Sequence, residues 1–129
     1  MVKAGSEDST FKGDELSGTS EDLVRSLVYK DMGLKNVEVL KGIFPEQTAH
    51  HIQTKEFRFC HIDVDVYESA KGIIDWTWDK MVVGGIVLYD DYGFLTCDGI
   101  RKFVDQQREL SDRIFIHNLN GHAVFVKTR

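Results

Sequence analysis

The sequence predicts an α/β fold whose sheet is mostly parallel and finishes in an antiparallel hairpin. Three observations carry this. Two apolar runs, FRFCHI (57–62) and IVLY (86–89), each stop at acidic residues. A stretch with helical spacing separates them, and RIFIHNLNGHAVFVK (113–127) holds two β-rich runs around Asn120-Gly121, a hairpin signal. Strands alternating with helices are the pattern of a parallel sheet built by crossovers.

Each element follows from local chemistry. Residues 1–18 are polar and rich in Gly and Ser, and read as an arm or loop. Thr19 and Asp22 have capping-box spacing, Leu23, Val24, Leu27 and Val28 share one helical face, and Gly33 is placed to stop that helix. NVEVLKGIF (36–44) then reads as a short strand, and Pro45 can open a helix running to about Lys55. The run from Phe57 to Ile62 is apolar on both alternating faces apart from Arg58 and His61, as expected of a strand buried in a parallel sheet. Ala70, Ile73, Ile74, Trp78 and Met81 mark a helix between Tyr67 and Met81. Gly84 and Gly85 turn the chain into the strand Ile86 to Tyr89, and Ile100, Phe103 and Val104 form the stripe of a further helix. On this pattern Trp78 belongs to the core and Trp76 to the partial surface.

Composition narrows the function classes. The chain has 129 residues, 42% hydrophobic and 29% charged, enough for one compact domain with its own core. It has no apolar run long enough to span a membrane and no apolar segment of a signal peptide near its first residue, so a cytoplasmic protein is expected. A net charge of −5 without a Lys/Arg cluster argues against nucleic acid as a partner. Cys60 and Cys97 have no metal-binding spacing; Cys60 reads as a small core residue.

The acidic strand ends carry the functional signal. In a parallel sheet the C-terminal ends of neighbouring strands open on one edge, where ligands of α/β proteins bind. Strands lie about 4.8 Å apart, so Asp63 and Asp90, with Asp91 next in line, can converge on one divalent cation. An all-oxygen set suits Mg²⁺ or Ca²⁺ better than zinc. Acidic residues after strands also cap helices and solvate turns, but three of them at two strand ends favour a site. Two chemistries use such a site. One is phosphoryl transfer of the haloacid-dehalogenase type, which Asp63-Val64-Asp65 and Asp90-Asp91 mimic, although that layout needs further motifs where only one helix stands. The other is metal-assisted methyl transfer.

HIDVDVYES (61–69), GGIVLYDDYG (84–93) and GIRKFVDQ (99–106) resemble the macrocin O-methyltransferase family, the S-adenosylmethionine-dependent sugar O-methyltransferases, and GLKNVEVLKGIFPEQT (33–48) is similar to that family's helix, third strand and following loop. The resemblance runs from about Asp8 to Lys127. It implies a truncated Rossmann-like class I methyltransferase sheet, with S-adenosylmethionine and Mg²⁺ or another divalent cation as cofactors. The acceptor would be a small-molecule hydroxyl, such as that of a sugar. Asp63 would be both metal ligand and catalytic base, and Asp90 and Asp91 would complete the metal site. A cation lowers the pKa of a hydroxyl, a carboxylate takes the proton, and the oxygen attacks the sulfonium methyl. Asp65 and Tyr67 would shape the loop or acceptor pocket. His61 is a second possible base, though its place in an apolar run favours a core role.

The family's first strand with its Gly-rich turn, and its second strand ending in an acidic residue, have no counterpart here. The chain therefore reads as one partial domain, the C-terminal two-thirds of such an enzyme. Residue-level cofactor contacts are not assigned, beyond the loop at Gly42 to Phe44 lying near the adenine. In the family's strand order the missing first strand lies beside Phe57 to Ile62. Two consequences are expected of that open edge: a homo-oligomer that buries it, or Val37 to Leu40 sliding in to pair with it. The non-enzyme alternative is a folded, oligomeric remnant of the same fold.

Overall fold

A computed structural model describes residues 5–10 and 18–129. A four-stranded sheet contains β1 (Phe57–Ile62), β2 (Met81–Tyr89), β3 (Arg113–His117) and β4 (Ala123–Lys127) in the order β1-β2-β4-β3. β1 and β2 run parallel, joined by the crossover helix α2 (Tyr67–Thr77), while β4 is antiparallel to both β2 and β3. So β1, β2 and β3 share one direction, and the single opposed strand lies inside the sheet rather than at its edge. The fold is the expected α/β class, with a parallel beginning and an antiparallel hairpin at its end. Helix α3 (Asp98–Gln107) connects β2 to that hairpin.

The pairing register sorts the side chains into two faces. Cys60, Val87, Phe125 and Phe115 form one row across the strands, and Ile62, Tyr89, Ala123 and His117 the next. Onto these rows pack Ala70 and Ile74 of α2 and Ile100, Phe103 and Val104 of α3, forming the core. The stripe spacing expected of both helices is what turns these residues inward. On the opposite face, Phe59, Ile86, Val126 and Ile114 form a row, with His61, Leu88, Val124 and Ile116 beside it. This second face stays open: Phe59 is 57% exposed, Ile114 54% and Ile116 50%.

Several sequence expectations are corrected. β1 is covered on one side only, because no helix among the described residues lies over Phe59 and His61. Val37 to Leu40 form no strand and do not slide onto β1. Their backbone is held by a helix instead: Tyr29 Oη donates to the Val37 carbonyl and accepts from Val39 N–H, and Arg25 donates to the Val39 carbonyl at 2.9 Å. That helix, α1 (Glu21–Arg25) with its π-helical continuation Ser26–Asp31, is capped by Ser20, not Thr19, and buries no residue; Leu23 is 63% exposed. Beyond Pro45 only a short 3-10 turn, Ala49–His51, forms. Gly84 and Gly85 lie within β2, where the pairing jumps from Phe57↔Met81 to Phe59↔Ile86, so they form an irregularity in the strand and not a turn before it. Gly84 takes φ 79°, open to glycine at little cost. Both tryptophans are half-buried: Trp78 donates to Asp112 and lies under Arg113, and Trp76 packs on Phe44 and Phe57. Residues 1–4 and 11–17 of the expected polar arm lie outside the described residues. Residues 5–10 carry Asp8, whose Oδ1 accepts from Tyr67 N–H at 2.9 Å at the start of α2.

The core contains one internal contrast that can be tested. Tyr89 is fully buried and its hydroxyl has no hydrogen-bond partner among the described residues, so desolvation opposes it. Tyr89→Phe is expected to leave stability unchanged or raise it by up to about 2 kcal/mol, whereas Phe103→Ala, at 2% exposure, should cost about 3–5 kcal/mol. Urea unfolding of both variants checks this; a large loss in Tyr89→Phe would mean that its hydroxyl has a partner in solution.

Candidate functional site

The level ends of β1 and β2 create the site. Ile62 pairs with Tyr89, and Asp90 N–H donates to the Ile62 carbonyl at 3.1 Å, so the residues that follow each strand emerge side by side. Asp63, Asp90 and Asp91 each bring a carboxylate oxygen to within 4.8 Å of the others. Asp63 is exposed and the other two are half-buried. All three residues expected from the sequence thus come together.

A second cluster shares Asp91. Asp65, Asp91 and Cys97 also offer ligand-type atoms within 4.8 Å of one another. Asp65 reaches this place with φ 60°, a left-handed conformation that Asp tolerates better than most residues, and so turns back towards β2 instead of continuing outward. Cys97 Sγ lies 3.8 Å from Asp65 Oδ1. Burial pushes the Cys97 thiol up to about 11, so it stays protonated and unreactive near neutral pH. Cys60, on the buried face of β1, is likewise pushed up to about 11 by burial, in keeping with its core role.

The electrostatics follow from burial and from four neighbouring carboxyls. Burial, then the negative charges of Asp65, Asp63 and Asp90, push Asp91 up to about 7. Burial, together with Asp63 and Asp90, also raises Asp65, against the lowering effect of its contact with Asp91. Both carboxyls are therefore harder to ionise than an ordinary Asp. Asp91 Oδ2 is buried and has no hydrogen-bond donor among the described residues. Such an atom is costly unless a proton or a cation meets it.

Histidines complete the surroundings. His61 Nε2 lies 3.2 Å and His122 Nε2 3.1 Å from the same oxygen, Asp90 Oδ1. His61 is exposed, which corrects the core role expected of it. Its strand is open on that face, and the ring sits beside a carboxylate rather than among apolar side chains. His122 and Cys97 were not singled out from the sequence, and no local pattern marks either; only the fold brings them to the acidic residues. The loop after β2 is locked against the hairpin, since Gly93 N–H donates to the Gly121 carbonyl at 2.7 Å and a Cβ on Gly93 would stand 2.5 Å from Gly121 Cα. Tyr92 of the same loop donates to Asp105 at 2.8 Å.

Comparison with known proteins places this geometry in context. The structure resembles that of the O-methyltransferase NovP, with a TM-score of 0.71 and 24% sequence identity, over 99% of this chain and 56% of that one. It also resembles an rRNA methylase from Streptococcus thermophilus, with a TM-score of 0.55 and 18% identity, over 85% of this chain and 70% of the other. The shared feature is the Rossmann-like methyltransferase fold, and the chain spans little more than half the length of NovP. No curated protein matches the sequence. The profile of the family described as macrocin-O-methyltransferase (TylF) matches residues 2–127, nearly the whole sequence, and the chain belongs to that family.

Proposed function

We propose that the acidic site is the cation and acceptor end of an S-adenosylmethionine-dependent O-methyltransferase acting on a sugar or other small-molecule hydroxyl. The observation that carries this reading is the convergence of Asp63, Asp90 and Asp91 at the level ends of two parallel strands in a chain of this family. The donor set fits a hard divalent cation such as Mg²⁺, since it is made of oxygens only, and Asp91 carries a buried oxygen, Oδ2, with no hydrogen-bond partner among the described residues. Asp63, Asp90 and Asp91 would hold the ion. When bound, the ion would supply Lewis acidity that makes an acceptor hydroxyl easier to deprotonate.

The chain's own residues do the rest. Asp63 is the exposed member of the set, open to an incoming acceptor and able to take its proton as well as to face the ion. Asp65, turned towards Asp91, walls the inner side. The loop Gly42 to Phe44, whose Phe44 packs edge-on to Trp76 at 5.0 Å, would lie near the adenine of the methyl donor. The open edge of β1 and the apolar face around Phe59 and Ile114 support self-association of the chain in solution.

Two measurements test the site. Titration calorimetry with Mg²⁺ and S-adenosylhomocysteine should show cation binding that Asp63→Asn and Asp90→Asn each weaken at least about 10-fold, together with binding of the nucleoside. Cation binding without nucleoside binding would leave a metal centre and remove the methyl donor from the reading; neither would overturn it. The second is a pH series. Asp91 binds its proton more tightly folded than unfolded, so its stabilising contribution is whole below its ordinary value of 3.8 and is lost as pH rises through about 7. Without added cation, the melting temperature of the wild type should fall across this window, and Asp91→Asn should flatten the fall. Equal slopes would show that Asp91 does not carry the raised pKa. For self-association, light scattering should give a mass above that of one chain, and Phe59→Lys should lower it; a monodisperse wild-type monomer would count against it.

A further inference from the structure

The histidines around Asp90 come from β1 and from the loop before β4, and meet on one oxygen. His61 reaches Asp90 Oδ1 from β1, and His122 reaches it from the residue just before β4. Both approach through Nε2. The orientation of His122 is set from behind. Asn118, at the other end of the hairpin loop, accepts the backbone N–H groups of Asn120 and His122 on its Oδ1, each at 2.9 Å. This turns its Nδ2 towards His122 Nδ1, 3.1 Å away. An amide nitrogen only donates, so Nδ1 accepts and the ring proton lies on Nε2, the nitrogen 3.1 Å from Asp90 Oδ1. The loop itself is closed by Asn118 N–H to the His122 carbonyl at 3.0 Å, and its Gly121 is clamped on Gly93, three residues beyond Asp90.

We propose that His61 and His122 are positioning residues of the cation site, with Asn118 fixing the tautomer of His122, so that the C-terminal hairpin aims a ligand carboxylate. This rests on the reading of Asp63, Asp90 and Asp91 as the cation site. The physical case is that a carboxylate on a short side chain can rotate, and a rotated Asp90 would no longer face Asp63 and Asp91. The two ring nitrogens against Oδ1, that of His61 in a hydrogen bond, restrain the rotamer and leave the second oxygen to an ion. Ligating carboxylates held by outer hydrogen bonds bind metal more tightly, and losing such a partner costs about 10- to 100-fold in affinity.

The test uses Mn²⁺ alone as probe, followed by the loss of its free-ion electron paramagnetic resonance signal, on the whole chain. The wild type should bind Mn²⁺. His61→Leu and His122→Leu should each weaken binding about 10- to 100-fold. His61→Gln and His122→Gln, whose amide N–H can donate to the same oxygen, should recover most of it. Circular dichroism on each variant separates this from loss of fold, and the Gln variants keep the test open should a Leu variant unfold. A folded double Leu variant that binds Mn²⁺ as the wild type does would overturn the positioning role while leaving the cation site in place. Gln variants no better than folded Leu variants would also overturn it. A wild type that binds no Mn²⁺ would overturn the cation reading, and the histidines' role with it.

Discussion

The parallel pairing of β1 with β2 is the constraint on which the rest depends. Because Ile62 and Tyr89 are level, the chain leaves both strands at the same height, and Asp63 and Asp90 have nowhere to go but beside each other. A register shift of one residue would reverse every side chain of β1. It would send Ile62 out of the core and separate the carboxylates. The apolar packing of Ile62, Val87 and Tyr89 under α2 and α3 therefore holds the acidic site in place.

The site works against the stability of the fold that positions it. Burial and the repulsion of three neighbouring carboxyls both raise the pKa of Asp91. Proteins keep such an arrangement where a ligand of opposite charge relieves it, and perturbed carboxyls gather at functional sites for that reason. Cys97 sits beside the same cluster as a neutral thiol, closing it on the inner side without adding charge.

The sheet is covered on one face only. α2 and α3 bury one pair of cross-strand rows, and the other pair leaves Phe59, Ile114 and Ile116 at the surface. The neighbouring α1 carries an apolar stripe, yet Leu23 and Leu27 also remain exposed. Between the open face and the open edge of β1 this chain presents more apolar surface than a small soluble domain usually does.

The α/β class, β1, the end of β2, α2, α3, the hairpin and the three carboxylates could be read from the sequence. They depend on periodicity and on where an apolar run stops, and those are local properties. Several of the expectations that failed needed a neighbour. Val37 to Leu40 have the composition of a strand, but no sheet edge reaches them and the side chains of Tyr29 and Arg25 take their backbone groups. His61 stands in an apolar run, but the face it occupies has no cover. His122 lies far along the chain from Asp90, and only the antiparallel return of β4 beside β2 brings the two together. The sequence by itself determined which residues alternate, which face inward and which acids end the strands. Only the tertiary structure decided which strand lies next to which, because that choice rests on long-range pairing and burial that no local pattern encodes.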